Sequence, residues 1–441
     1  MKYAITHCYT DHNKGDAAII ISTTQLLREI DKDAEINMFS TFGPNDDQFI
    51  NEHEFIKKFS KRIYPGMFYQ PRPVIKDNDK SRFLHLLWIL VKFTVLLATR
   101  NKTVLKAFFT PFEREGIEKF LESDVVISKG GSYITAQNKS LRQSISLFSM
   151  LYPFILAKRY DKKMVIFSQS LGPVVGSFNK WMTKSSLRGI KKIFLREKVC
   201  LDLYPEVNEL SELVDIEIIQ DSAFFLESDE ELSKHDLNID SNNFNVGMTL
   251  VDHAFKYVAS EEEKQEKINN YKNAITNNIK RLIDDHSAYI HIFPQVIANN
   301  SHLGHSDVRI SKEIEDSFRN TKYDGRVKYH FADYNPMQLR QMYSEMDMFI
   351  GTRLHSVIFS LSQNVPSINI AYHGTKSQGI LGAIKDFENN VISIDNITTE
   401  VLEEKIDYVI NNRDLLIDTL VSENAKIRSV LLDAMKSVTK L

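Results

Sequence analysis

Short apolar runs that end in small or polar residues recur along the first half of the chain. They are MKYAITHCYT, DAEINMFST, SDVVISKGGS, KMVIFSQSLGP, IKKIFLREK and IEIIQDSAFF. Between them, residues 16–30 and 140–159 carry apolar positions at helical spacing. The order of strand, loop and helix predicts a parallel sheet with helices on both faces.

The acidic, asparagine-rich stretch at residues 227–245 interrupts this pattern. A second series follows it, with NVGMTLV, AYIHIFPQ, VKYHFADY, DMFIGTRLH, PSINIAYH and NVISI. Because apolar contacts lapse in linkers, we place a domain boundary in this stretch. The expected division is a first α/β domain at 1–228, a second at 245–398, and a helical segment at 399–441.

Composition narrows the functional classes. The chain has 441 residues, of which 43% are hydrophobic, enough for two cores of ordinary size. Its formal charge of -3 argues against a nucleic-acid binder that depends on bulk positive charge. The two cysteines, Cys8 and Cys200, show no disulfide or metal pattern, and the N-terminus shows no secretory signal. We therefore expect a cytoplasmic protein.

One almost wholly apolar stretch, FLHLLWILVKFTVLLA, begins at Phe83 and ends at Ala98. It is too short and, with Lys92 inside it, too polar to predict a membrane span. Two interpretations stay open. The stretch is either a buried helix of the first domain or an interfacial helix that contacts the inner face of the membrane.

Most unusual clusters follow predicted strands, where ligands bind in open parallel sheets. The first contains Asn13, Gly15 and Asp16 at the start of a helix. Gly15 permits a close approach of ligand, and Asp16 either caps the helix or acts on a substrate hydroxyl. A later pair, Gly130 and Gly131, exposes successive N–H groups suited to an anion, or forms an ordinary turn.

Three further residues of the first domain lie at strand ends. Ser170 belongs to the sequence Gln-Ser-Leu-Gly-Pro, Arg196 follows IFL, and Asp221 follows IEIIQ. An arginine there can hold two oxygens of a carboxylate or phosphate. The alternative for Arg196 is a surface salt bridge with Glu197 or Asp202, and the residues alone favour that alternative.

The most informative cluster lies in the second domain, where Arg353, Leu354 and His355 follow the strand DMFI and open a helix. Helix amides, a fixed cation and an imidazole can converge there on one anion. Tyr372 and Lys376 follow the next strand and should approach the same place. No metal site is expected, because His302 and His305 near Asp307 are better explained as a polar loop.

In this order, the segments resemble the polysaccharide pyruvyl transferase family, and the resemblance spans most of the chain. Its most diagnostic part is Arg-Leu-His, a Pro-containing strand, and then Tyr and Lys. The resemblance implies a glycosyltransferase-B-like fold, two Rossmann-like domains facing across a cleft, with the first on the acceptor side and the second on the donor side. Ser132 stands where the family often has a third glycine, and the apolar stretch lies outside the family's core pattern.

The resemblance also implies an activity: transfer of pyruvyl from phosphoenolpyruvate to hydroxyls of a sugar, free or lipid-linked, forming a ketal during exopolysaccharide or capsule synthesis. The expected donor contacts are Arg353, Arg196 and Lys376. His355 is the expected general acid, and Asp16 or Asp221 the base. Phosphoenolpyruvate is a substrate, and no separate cofactor is expected.

Two other functions stay open at this point. One is a nucleotide-sugar glycosyltransferase on the same fold, since fold alone does not decide function. It would be expected to place a carboxylate near the second-domain loop, and residues 351–376 contain no Asp or Glu. The other is a non-catalytic binding protein of glycan assembly, which the combination of Arg353, His355 and Lys376 disfavours.

Overall fold

A computed structural model describes residues 1–69, 79–228, 239–240, 242–251, 255, 260–297, 307–372 and 375–441, without the side chains of 79–83. The chain forms two compact units. The first contains Met1–Asp11, Ile19–Ser222 and Val430–Leu441, and the second contains His12–Ala18 and Ala223–Ser429. Neither unit is a continuous segment, whereas the ranges expected from the sequence were.

The first unit is built on a parallel sheet. Its strands are β1 (Lys2–Cys8), β2 (Glu35–Ser40), β3 (Arg62–Tyr64), β4 (Val125–Ser128), β5 (Gly131–Ala136), β6 (Lys163–Val174), β7 (Lys192–Leu195) and β8 (Ile216–Ile218). Among the described residues their order is β3-β2-β1-β4-β6-β7-β8, with β5 paired to the end of β6. The central strands β1 and β4 are buried along nearly their whole length, as expected of a sheet covered on both faces.

Helices cover this sheet. They are α1 (Lys14–Ile30), α2 (Asp47–Asn51), α3 (Asp79–Ala98), α4 (Lys102–Phe108), α5 (Pro111–Glu122), α6 (Leu141–Arg159), α7 (Ser177–Leu187), α8 (Val199–Leu203) and α9 (Pro205–Asn208). Local sequence sets their ends. At α5, for example, Thr110 and Glu113 form a capping box, in which each side chain accepts a hydrogen bond from the other's backbone N–H.

The second unit repeats the architecture. Its strands are β9 (Asn245–Thr249), β10 (Tyr289–Ile292), β11 (Val327–Tyr329), β12 (Met348–Gly351), β13 (Ser367–Ala371) and β14 (Val391–Ser393), in the parallel order β11-β10-β9-β12-β13-β14 over the described chain. Its helices are α10 (Glu261–His286), α11 (Val308–Phe318), α12 (Pro336–Tyr343), α13 (Leu354–Leu361), α14 (Lys376–Leu381), α15 (Thr399–Asn411) and α16 (Arg413–Thr439). The order in which strands are added reverses after β11, because β12 pairs with β9 on the side opposite β10, and this brings the ends of β9 and β12 together at the centre of the sheet.

The predicted α/β class, with two parallel sheets, is confirmed. The twelve apolar runs named above each contain a strand. Two strands were missed: β3 has only three residues, and β5, with the sequence GSYITA, begins at the second glycine of the pair without an intervening helix.

The apolar stretch beginning at Phe83 lies within α3, and part of it is buried. Ile89, Phe93 and Leu96 belong to the core of the first unit. Of the described helices, none combines the length and the apolar character needed to cross a bilayer.

Candidate functional site

The loop between β12 and α13 is shaped by close packing around Gly351. A Cβ at this position would lie 2.5 Å from Val357 Cγ2 and 2.7 Å from Ser356 Oγ, so only glycine fits. The Ser356 hydroxyl in turn lies 2.6 Å from that of Thr249, at the end of β9. These contacts fix the first turn of α13 and thereby the direction in which Arg353, the residue before the helix, projects.

Arg353 is held by two side chains. Its Nε and Nη2 donate to the carboxylate of Asp307, with the shortest distance, 2.6 Å, from Nη2 to Oδ1. Its Nη1 donates to the hydroxyl of Tyr372 at 2.9 Å. Three of the five N–H donors of the guanidinium are used in these contacts, which leaves two that a ligand could accept from.

The charge on Arg353 is stabilised by its surroundings. Burial of the guanidinium acts to lower its pKa, but the charge of Asp307, with help from Tyr372, outweighs burial and raises the pKa above its ordinary value. Arg353 is therefore a permanent, oriented cation. Its net attraction for an anion is moderated because Asp307 lies directly against it.

Asp307 is a site residue that sequence reasoning missed in this role. Its side chain is fully buried, and Oδ2 accepts hydrogen bonds from the backbone N–H groups of Gln295 and Val296, at 3.0 and 2.9 Å. The only signal in the sequence was its position just before α11, which by itself indicates an ordinary helix cap. The pairing with Arg353 joins residues 46 apart, which no local pattern reveals.

The segment His12–Ala18 brings the first sequence cluster into the same unit as Arg353. Asn13 forms an antiparallel bridge with Val296, and the Lys14 N–H donates to the carbonyl of Gln295 at 3.2 Å. A Cβ added to Gly15 would overlap the imidazole of His355. The glycine therefore allows a close approach of the His355 side chain, and the expected close approach of a ligand stays a prediction.

Asp16 lies beside this contact and is partly exposed. Its carboxylate accepts a 2.7 Å hydrogen bond from Asn13 Nδ2, while Asn13 Oδ1 accepts from the backbone N–H of Gly15 at 3.2 Å. The side chain that satisfies the start of α1 is Asn13. Asp16 is therefore not the residue that caps α1.

A second missed residue is Lys14, which is almost fully buried. Its ammonium lies 2.5 Å from Asp333, whose side chain is 60% exposed. A buried lysine whose carboxylate partner is exposed is typical of a position that binds an anion. In the sequence, Lys14 is marked only as the residue before a glycine.

The structure describes some of the remaining second-domain candidates. Leu354 is the first residue of α13 and Lys376 the first of α14, and both are half-buried. Tyr372 contacts Arg353, as described. His373, in the sequence after Tyr372, lies outside the described residues.

In the first unit, Arg196 after β7 and Asp221 after β8 come together with Ser170, which lies inside the neighbouring strand β6. Arg196 Nη1 donates to Asp221 at 2.6 Å and Nε to Ser170 Oγ at 2.7 Å, with Glu197 also 3.3 Å away. Burial acts to lower the pKa of Arg196, but the charges of Asp221 and Glu197 raise it. The surface salt bridge anticipated for Arg196 does include Glu197, but the side chains involved are buried. The shorter ion-pair distance is to Asp221.

Gly130 and Gly131 are explained by packing. A Cβ on Gly130 would overlap the carbonyl oxygen of Ser168, and Gly131 has φ 136°, which side chains disfavour. The pair leads into β5 and does not open a helix. Their suggested anion-binding role stays a prediction.

Within the described residues, no group of three or more His, Cys, Asp or Glu side chains is arranged to hold a metal ion. His302 and His305 lie outside the described residues, and Asp307 is committed to Arg353. Both cysteines are buried as free thiols.

The sequence of this chain matches a known protein family. Residues 13–374 match the family model described as Polysaccharide pyruvyl transferase. The chain belongs to the polysaccharide pyruvyl transferase family. The match begins at Asn13 and ends just beyond Tyr372, so it includes Arg353, His355 and Tyr372 but stops before Lys376.

Solved structures of the same fold are distant in sequence. HepE of Anabaena, in complex with UDP, superposes with a TM-score of 0.55 at 10% identity, covering 100% of both chains. A ugt transferase of Siraitia grosvenorii, also with UDP, gives 0.53 at 10% identity with 100% coverage of both. MnaA of S. aureus with UDP gives 0.52 at 11%, covering 95% of this chain and 91% of its own. The fold is that of glycosyltransferase-B enzymes, and this family member is a transferase.

Proposed function

We propose that this protein transfers the pyruvyl group of phosphoenolpyruvate to two hydroxyls of a sugar, forming a pyruvate ketal on a cell-surface polysaccharide. The observation that supports the proposal most is the arrangement of Arg353. It is oriented by Asp307 and Tyr372 at the start of α13, next to His355. Family membership supplies the reaction class, and this arrangement supplies groups suited to an anionic enol phosphate.

Each group has a proposed role. Arg353 binds the carboxylate or phosphate through its remaining N–H donors, and Lys376 helps to neutralise the departing phosphate. His355 donates the proton. We favour Asp16 as the base, because Asp221 is fully buried and paired with Arg196, whereas Asp16 is partly exposed.

Arg196 keeps a proposed role in binding, with one change. Since Ser170 and Asp221 already engage two of its nitrogen atoms, it acts by linking β6 to the segment that follows β8. A direct contact with the donor would have to use its remaining N–H groups.

The proposed reaction balances in protons. His355 protonates C3 of the enol, which becomes a methyl group and leaves C2 electrophilic. One sugar hydroxyl attacks C2, the C2–O bond to phosphate breaks, and a second hydroxyl closes the ketal ring. Of the two hydroxyl protons released, one restores the imidazolium through Asp16 or solvent and the other leaves with phosphate.

The test is transfer in deuterated water with phosphoenolpyruvate and glycan intermediates from the producing cell. Mass spectrometry should find a product heavier by pyruvate less one water, with a single deuterium in its methyl group. Arg353→Ala and His355→Ala should form no product, while Arg319→Ala, an exposed arginine of the same unit, should match the wild type. Product formation by either site variant at the wild-type rate would refute the proposal.

A nucleotide-sugar glycosyltransferase is the second candidate, since three similar structures contain UDP. The carboxylate it would need near this loop is present as Asp307, which the sequence argument did not foresee. Asp307 is, however, fully buried and already accepts hydrogen bonds from Arg353 and two backbone amides. It is poorly placed to hold a ribose, which favours phosphoenolpyruvate.

Thermal melting separates these candidates from each other and from a non-catalytic glycan-binding protein. A ligand that binds only the folded state raises the melting temperature. Phosphoenolpyruvate should do so and UDP should not. The reverse result would favour the glycosyltransferase. Stabilisation by phosphoenolpyruvate without product from any glycan would favour the non-catalytic protein.

A further inference from the structure

The outer side of α3 is apolar and exposed. Leu84, Leu87 and Val91, spaced three and four residues apart, form one stripe and are 66%, 42% and 50% exposed. The opposite side contributes to the core of the first unit. The helix is therefore apolar on both sides, whereas a helix on the surface of a water-soluble domain normally has a polar outer face.

The charged residue of this stretch faces inward. Lys92 is almost fully buried, and its ammonium lies 2.5 Å from the carboxylate of Glu113, which also accepts a 2.8 Å hydrogen bond from Tyr69. Taking an ion pair out of water carries a large desolvation cost. The sequence thus places charge inside and large apolar side chains outside, the reverse of the arrangement that solubility alone would favour.

The apolar surface continues onto the neighbouring helix. Trp88 stacks on Phe108 of α4, with ring centroids 5.5 Å apart, and Val104 of α4 is 39% exposed. We define the outer patch as five exposed apolar side chains from these two helices: Leu84, Leu87, Trp88, Val91 and Val104. Contiguous apolar surface of this kind marks a binding surface more often than scattered single residues do.

Cations lie close in sequence to the outer patch. Arg100, Lys102 and Lys106 are exposed on α4 and the turn that precedes it. Lys102 pairs with Glu118 at 3.0 Å, but across the described part of the chain no carboxylate lies within ion-pair distance of Arg100 or Lys106. Two cations close in sequence to Val104 of the patch, Arg100 and Lys106, therefore have no ion-pair partner among the described residues.

We propose that the outer patch binds the surface of an anionic phospholipid bilayer, with α3 lying in the plane of the interface. Apolar side chains, a tryptophan and nearby cations are the combination that such a surface recognises. A second copy of the chain would present the same cations, whereas anionic headgroups complement them. The proposal does not depend on the identity of the donor.

The test is co-sedimentation of the full-length protein with vesicles of phosphatidylcholine, with and without phosphatidylglycerol. The wild type should pellet with the anionic vesicles. The variant Leu87→Glu/Val91→Glu should bind them roughly tenfold less or weaker still, as should the triple serine variant of Arg100, Lys102 and Lys106. Leu415→Glu, at a 58% exposed leucine of α16 in the second unit, is the matched control and should bind like the wild type.

Fluorescence reports on the contact directly, because the chain has two tryptophans, Trp88 and Trp181. Trp181 is 63% exposed, so Trp181→Phe should fold normally and leave Trp88 as the reporter. Its emission should shift to shorter wavelength with anionic vesicles. Melting temperatures should confirm that every variant is folded.

Three results would overturn the proposal. They are equal vesicle binding by the wild type and Leu87→Glu/Val91→Glu, absence of binding by the wild type, and an unchanged Trp88 emission. A wild-type dimer that Leu87→Glu/Val91→Glu converts to a monomer, without vesicle binding, would assign the patch to self-association instead.

Discussion

Replacing Asp307 by asparagine removes the counter-charge of Arg353 without changing the shape of the side chain. In the wild type, Asp307 is fully buried and Arg353 only 12% exposed, so the variant leaves a guanidinium out of water and without its carboxylate. Breaking a buried ion pair in this way costs several kcal/mol. Because a little solvent still reaches Arg353, we expect a loss at the low end, about 3 kcal/mol.

The second unit has a little over two hundred residues, for which each kcal/mol shifts the melting temperature by a few degrees. Asp307→Asn should therefore melt roughly 6 to 12 °C below the wild type in differential scanning calorimetry. The control is Asp316→Asn on the same helix, where an exposed pair with Arg319 at 2.9 Å should contribute at most about 1 kcal/mol.

The double variant Asp307→Asn/Arg353→Met makes the test specific. Removing both members of a buried pair abolishes the uncompensated charge, so the double variant should be more stable than Asp307→Asn alone. If Asp307→Asn melts no lower than Asp316→Asn, or if the double variant is the less stable of the two, the reasoning about the pair is wrong.

Three further predictions concern activity and pH. Arg353→Ala and His355→Ala should abolish transfer yet melt as cooperatively as the wild type, and measurable product from either would contradict the assigned roles. Gly15→Ala should displace the His355 imidazole and slow transfer about tenfold to hundredfold in a steady-state assay; an unchanged rate would show that the close approach is dispensable. Burial lowers the pKa of His291 to about 4 and that of His330 to about 3, from 6.5. The contribution of these histidines to the free energy of unfolding should therefore be complete above pH 6.5 and fall on acidification, by at most about 1.4 kcal/mol per pH unit for each histidine. Denaturant unfolding measures this, and a flat profile down to pH 5 would refute it.

Much of the fold could be predicted from the sequence because parallel strands buried on both faces are continuous apolar runs. Runs such as DVVIS and DMFIG are therefore visible without any structure. The two missed strands lack that signal. β3 is too short, and β5 alternates between buried and half-buried residues after a glycine pair that looks like a turn.

The candidate site was predictable only where its chemistry is local in sequence. Arg353 and His355 are two residues apart at the start of α13, so their proximity follows from the motif. Asp307 and Lys14 were missed because their importance comes from distant partners, Arg353 and Asp333, which a single sequence does not reveal. Residue type alone also could not show that Arg196 and Asp221 are paired with each other.

The outer patch illustrates a different gap. From sequence, α3 could be either a buried core helix or an interfacial helix, since both are apolar. The structure shows a buried side and an exposed apolar side on the same helix, with Lys92 on the buried side. Periodicity could not separate these interpretations because the stretch has no polar face to set its orientation.

Titration calorimetry of the protein with phosphoenolpyruvate measures binding of the proposed donor itself. We expect saturable heat for the wild type and for the surface variant Arg319→Ala, and none for Arg353→Ala. Equal heat for Arg353→Ala, or heat from UDP and none from phosphoenolpyruvate, would contradict the proposal.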